Sequence, residues 1–197
     1  MPKLSPQARA RKIKLLLFDV DGVLTDGKLY FLPGPNQQAS SELTAQGSIE
    51  VKGFHAHDGV GVSLARIGGL RTGLITRRFS ETVAVGARDL RLEFVSQGIK
   101  DKGAALKNIA QQAGLQLAQT AFIGDDIVDL PAMRVAGLAI AVKNSRAEVK
   151  KEAHYITPNA GGEGALRDAV EFILKAQGKW KEAMENYIEG KGAIPGN

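Results

Sequence analysis

Four short apolar runs, residues 14–20, 72–76, 120–124 and 138–142, alternate with stretches of helical periodicity, and this constrains the fold more than any other feature of the chain. Each run is short and apolar throughout, as expected of a strand buried on both faces. The helical patterns between and after them cover residues 60–67, 80–90, 101–113 and 164–176. Ser80 followed by Glu81 opens the second. Asp101 caps the third, whose stripe of Leu106, Ile109, Ala110 and Ala113 stops at Gly114. Ser145, three residues ahead of Glu148, has the form of a capping box. Strands alternating with helices predict an α/β fold, a central parallel sheet covered on both faces. Ligands of such sheets bind outside the carboxyl ends of the strands. Asp19 and Asp21, Thr76, and Asp125 with Asp126 fall at those ends.

Residues 28–54 break the alternation. Tyr30-Phe31-Leu32, the turn-rich Pro33-Gly34-Pro35-Asn36 and the run 48–54 predict a β-hairpin flap with a long mobile tip over 33–47. The expected organisation is a basic arm over 1–13, one domain over 14–178 and a tail over 179–197, where Trp180, Met184, Tyr187 and Ile188 recur at helical spacing. The formal charge of +5 comes from the stretch ahead of Asp19. Lys3, Arg9, Arg11, Lys12 and Lys14 precede the first acid, and the remainder balances at 21 basic against 21 acidic residues. The arm is expected to be a solvated terminus, with no nucleic-acid partner. No apolar run nears the roughly 18 residues needed to span a bilayer. With no secretory signal and no cysteine in the chain, no membrane partner and a cytoplasmic location are expected.

The acids fit phosphate-ester chemistry, which needs a nucleophile, charge neutralisation and a proton. Asp19 is placed to form an aspartyl-phosphate. Asp21, pointing the same way from an extended strand, would protonate the leaving alcohol and later activate water. Clustered carboxylates repel one another unless a cation is present, and oxygen ligands with open positions suit Mg²⁺. Asp125 would join Asp19 in holding it. Lys102, in the first turn of a helix, could hold Asp19 and the phosphate, and Thr76 could donate its hydroxyl to a phosphate oxygen.

The segment Phe18-Asp19-Val20-Asp21-Gly22-Val23-Leu24-Thr25-Asp26-Gly27 resembles motif one of the haloacid dehalogenase (HAD)-like phosphatases. Thr76 is similar to motif two, Lys102 to motif three, and Gly124-Asp125-Asp126-Ile127-Val128-Asp129 to motif four. Over residues 14 to about 178 the chain more narrowly resembles the 3-deoxy-D-manno-octulosonate 8-phosphate phosphatases. That match rests on Asp21 to Gly27, Phe54, Asp58-Gly59 with Gly61, Gln97-Gly98, and the 161–167 segment. The resemblance implies a Rossmann-like three-layer sandwich without a cap domain, with Asp19 as nucleophile and Asp21 as acid/base. It implies Mg²⁺ on Asp19, the Asp21 carbonyl and Asp125, with Asp126 and Asp129 in support. It also implies a homotetramer whose neighbouring subunit covers the site, and a place on the route to lipopolysaccharide. The step of 26 positions from Thr76 to Lys102 agrees, since it holds a helix and a strand but no cap.

Substrate contacts implied by the resemblance fall on His55, His57, Asp58, Gly59, Arg78 and Lys102. Here the chain departs from the family pattern. Thr76-Arg77-Arg78 stands for Thr-Gly-Arg, His57 for a substrate-facing arginine, and Ser63 and Gly86 where further arginines are common. His55 and His57 are expected to alternate onto one face of a strand and line the substrate pocket. These departures leave the chemistry intact and open a second substrate, a nonulosonate 9-phosphate or another sugar phosphate. A non-catalytic assembly module on the same fold is the alternative from another class.

Overall fold

The computed structural model describes residues 4–34 and 48–191. Six parallel strands form the central sheet: β1 (Leu15–Phe18), β4 (Arg71–Ile75), β5 (Phe94–Ser96), β6 (Thr120–Gly124), β7 (Leu138–Ala141) and β8 (Tyr155–Ile156). Their order is β5-β4-β1-β6-β7-β8. The chain builds outward from β1 in one direction, then returns to build outward in the other, so a crevice opens at the carboxyl end of β1. Leu15 and Phe18 of β1 lie opposite Arg71 and Leu74 of β4 on one side, and opposite Thr120 and Ile123 of β6 on the other. This is the expected Rossmann-like sandwich.

The period-two direction of strand side chains divides the core into two layers. Leu16, Phe18, Leu74 and Ile123 face α1 (Pro6–Ala10), α2 (Ala56–Ile67), α3 (Glu81–Asp89), α7 (Ala165–Ala176) and α8 (Trp180–Ile188). Leu15, Leu17, Ile75 and Phe122 face α4 (Lys102–Gln112), α5 (Leu130–Val135) and α6 (Ala147–Glu152). Ser80 Oγ accepts from Val83 N at 3.3 Å and Asp101 Oδ1 from Ala104 N at 3.0 Å, so both expected caps form. α7 has no side-chain cap of its own, because its N-cap residue, Gly164, has no side chain to accept a hydrogen bond. Asp58, buried on α2, supplies the missing acceptor: its Oδ1 takes the Arg167 N–H at 2.9 Å.

Several expectations are corrected. Residues 5–13 are no solvated arm: α1 buries Ala10, and Arg9 Nη1 donates to Gly137 O at 2.7 Å. The domain does not stop at 178: the first part of the expected tail forms α8, which packs on α2 and α7. Trp180 lies under Arg167 at 5.0 Å, and Lys179 Nζ donates to Gly68 O at 2.9 Å. Ser145 caps nothing: Arg146 holds the N-cap of α6, and Ser145 Oγ instead donates to Gly124 O at 3.1 Å, pinning the loop to β6. His55 and His57 open α2, four residues before its expected start, rather than sharing a strand face.

The flap's two strands, β2 (Tyr30–Pro33) and β3 (Ser48–Val51), pair antiparallel with Phe31 opposite Glu50 and Leu32 opposite Ile49. Residues 35–47, most of the expected mobile tip, lie outside the described residues. Tyr30, Leu32, Ile49 and Val51 share one hairpin face, and all four are exposed. Glu50 points the other way.

Candidate active site

Asp19 follows β1 directly, and its N–H donates to Ile123 O at 3.0 Å, adding a last rung beyond the strand. The chain then turns through residues 20–24 in a wide helical loop closed by Thr25 N to Val20 O at 3.0 Å. Gly22 makes this turn possible. Its φ is +96°, and a Cβ there would stand 2.3 Å from Asp125 Oδ2. The neighbouring loop is equally close: a Cβ on Gly161 would overlap Gly22 O.

The turn brings Asp19 and Asp21 against residues that follow β4 and β6 and against the first turn of α4. A cleft of about 190 Å³ is lined by Asp19, Asp21, Thr76, Arg77, Arg78, Lys102, Asp125, Asp126 and Val128. Asp19 Oδ1 accepts from Val20 N at 2.7 Å and pairs with Lys102 Nζ at 2.8 Å. Lys102 is buried and reaches Asp129 Oδ1 at 2.6 Å. The second oxygen of Asp129 accepts from Asp125 N at 2.9 Å and Asp126 N at 3.3 Å, which locks the loop after β6. Thr76 is buried at the end of β4, with its Oγ1 accepting from Arg78 N at 3.4 Å.

Asp19, Asp125 and Asp129 each place a carboxylate oxygen within 4.8 Å of the others. Burial and the nearby Asp129 charge raise the Asp19 carboxyl to about 7, against the pull of Lys102. Burial, with Asp129, Asp19 and Asp126 beside it, raises Asp125 to about 8. Asp125 Oδ1 is buried and accepts no hydrogen bond. One ammonium cannot neutralise this group, and an all-oxygen set with an unsatisfied carboxylate fits a hard divalent cation.

Two residues of the site escaped sequence reasoning. Lys52, just beyond β3, has its ammonium on Asp21 Oδ1 and 3.6 Å from Glu50. Glu50 in turn takes Arg78 Nη2 at 2.8 Å and the Ser80 hydroxyl at 2.5 Å. The available signal was the period: Glu50 and Lys52 alternate with Ile49 and Val51, so polar residues face the domain and apolar ones face out. Other expected residues stand apart from the cleft. Asp58 is committed to the N-terminus of α7, and Gly59 follows it inside α2. His55 Nδ1 accepts from His57 N at 3.2 Å, and His57 lies beside Gly164. Arg11, Lys12, Lys14 and Lys179 of the basic leader and tail line a separate cleft at the amino ends of β1 and β6.

Residues 74–167 match the profile of the haloacid dehalogenase-like hydrolases, and the likeness to curated members extends over nearly the whole chain. The chain belongs to the haloacid dehalogenase-like hydrolase family. Among the relatives, the 3-deoxy-D-manno-octulosonate 8-phosphate phosphatase KdsC of Haemophilus influenzae is 34% identical over 88% of this chain and 89% of its own length. KdsC of Escherichia coli K12 is 34% identical over 89% of this chain and 87% of its own. The 3-deoxy-D-manno-octulosonate 8-phosphate phosphatase of Moraxella catarrhalis has been solved in complex with magnesium, phosphate and KDO. That structure superposes with a TM-score of 0.82 at 34% identity, covering 92% of this chain and 97% of its own.

Proposed function

We propose that the protein is a Mg²⁺-dependent phosphomonoesterase that hydrolyses 3-deoxy-D-manno-octulosonate 8-phosphate, on the route to lipopolysaccharide, through an aspartyl-phosphate on Asp19. The carrying observation is the meeting of Asp19, Asp125, Asp129 and Lys102 beside Asp21 and Thr76 at one crevice. The choice of sugar rests on the relatives, alike over nearly their full length.

In the first step a carboxylate oxygen of Asp19 bonds to phosphorus as the ester P–O bond breaks, and Asp21 passes its proton to the departing sugar oxygen. In the second, a water oxygen bonds to phosphorus, Asp21 takes the water's proton, and the P–O bond to Asp19 breaks. Lys102, fixed between Asp19 and Asp129, keeps the nucleophile oriented and faces the charge on the transferring group. Thr76 donates its hydroxyl to a phosphoryl oxygen. Asp19, the Asp21 carbonyl and Asp125 would hold Mg²⁺, which would supply charge neutralisation on the phosphoryl oxygens. Arg78, part-exposed at the cleft, is the side chain placed to meet the sugar acid.

We further propose that a homotetramer completes the site. Tyr30, Leu32, Ile49 and Val51 are 51%, 52%, 50% and 39% exposed on one hairpin face, and an apolar strand face of that kind is normally covered. A neighbouring copy seated there would shut water from the cleft, which has no cap domain above it among the described residues.

Asp19→Asn tests the mechanism. It should cut turnover by about a thousandfold or more and abolish the phosphoenzyme trapped by acid quench. A variant that still forms phosphoenzyme and turns over near the parent rate would remove Asp19 from the nucleophile's role.

A further inference from the structure

Lys52 and Lys102 are the two buried lysines among the described residues. Lys102 belongs to the catalytic acids. Lys52 comes from the flap, 31 positions away from Asp21 along the chain, yet its ammonium rests on Asp21. A buried ammonium is costly unless carboxylates surround it, and Lys52 has two, Asp21 and Glu50. Its stem is anchored at the same time. Glu50 binds Arg78 and the Ser80 hydroxyl with its side chain, and its backbone carbonyl accepts from Thr82 Oγ1 at 2.9 Å. The end of β3, from which Lys52 follows, is thus clamped to the loop after β4 and the first turn of α3.

Asp21 is gripped on both oxygens as a result. Lys52 holds Oδ1, and Arg78 Nε stands 3.8 Å from Oδ2. The two grips are unequal, because Glu50 draws the Arg78 guanidinium towards itself at 2.8 Å. A proton donor is effective only when aimed at the oxygen it serves. We propose that Lys52 is a positioning residue for Asp21: it holds the carboxyl group in its proton-transfer orientation, and through Glu50 it makes that orientation depend on the seating of the flap. The inference rests on the reading of Asp21 as general acid.

The test compares single-turnover cleavage of two esters by the full-length Mg²⁺-loaded protein. 3-Deoxy-D-manno-octulosonate 8-phosphate has an alkoxide leaving group that needs protonation. 4-Nitrophenyl phosphate releases a phenolate that does not. Lys52→Met should slow the sugar ester by about 100-fold or more while changing the aryl ester and KM far less, since general-acid help is the part removed. Lys52→Arg should restore most of the lost rate. Glu50→Gln, which loosens the seat but keeps the lysine, should show the same ester selectivity in weaker form, and it serves as the test if Lys52→Met fails to fold. Asp21→Asn is the control. Selectivity in Asp21→Asn with equal slowing of both esters in the Lys52 and Glu50 variants would overturn the positioning role and leave the general acid standing. No selectivity in Asp21→Asn would overturn both.

Discussion

Asp19 and Asp125, with carboxyls raised to about 7 and about 8, show how the site stores its own repulsion. Both folded values lie above the ordinary 3.8, so between about pH 4 and 8 the metal-free folded state binds more protons than the unfolded chain. The stability this gives is complete below about pH 4 and is lost as pH rises through 7 and 8. Metal-free protein should therefore melt at progressively lower temperature from pH 5.5 to 8.5, a slope that Asp125→Asn should flatten. Mg²⁺ should raise the melting temperature more at pH 8.5 than at 5.5, because at low pH it must displace protons. A metal-free melting temperature that is flat or rising over this range would contradict the clustering. These acids were legible in the sequence because each ends an apolar run, where a carboxylate has no structural reason to be. Lys52 and Glu50 were not, since a lysine on a hairpin ordinarily faces water and nothing local says which way the hairpin folds. Asp58 was legible as a singled-out residue, but its role was not: only the packing of α2 on α7 shows a helix start in need of an acceptor.

At the scale of elements, that same contact yields a measurable consequence. Asp58 is 1% exposed, and burial raises its carboxyl above the usual range even though it accepts from the start of α7. Asp58→Ala should cost about 1–2 kcal/mol in urea unfolding, the usual worth of a helix cap. Asp58→Asn, which keeps an acceptor and drops a buried charge, should cost less. Equal losses would show that packing rather than capping governs the position. The strands and helices that were legible are those whose pattern is self-contained: β6 occupies the whole of the run 120–124, and α3 and α4 begin at their caps. What escaped is made by neighbours. β8 is two residues long and exists because β7 offers it an edge, and α1 holds together by burying Ala10. Ser145 followed by Glu148 has the letters of a capping box, but the Gly124 carbonyl competes for the hydroxyl.

For the whole molecule, the flap joins two properties. Its inner side carries Glu50 and Lys52 to the cleft, and its outer side exposes four apolar residues that a neighbouring subunit would bury. Ile49→Glu places a charge on that outer side without touching the inner one. It should dissociate a tetramer seen by light scattering and lower activity, while a parent protein that is monomeric at working concentration would contradict the assembly. Metal dependence and substrate choice are read together by phosphate release from 3-deoxy-D-manno-octulosonate 8-phosphate, with Mg²⁺ and with chelator, beside a panel of other sugar phosphates that includes a nonulosonate 9-phosphate. Turnover should need Mg²⁺, and kcat/KM should be highest for the eight-carbon sugar acid phosphate. Equal or better turnover of another sugar would contradict the substrate assignment, and release undiminished by chelator would contradict the metal-dependent mechanism itself.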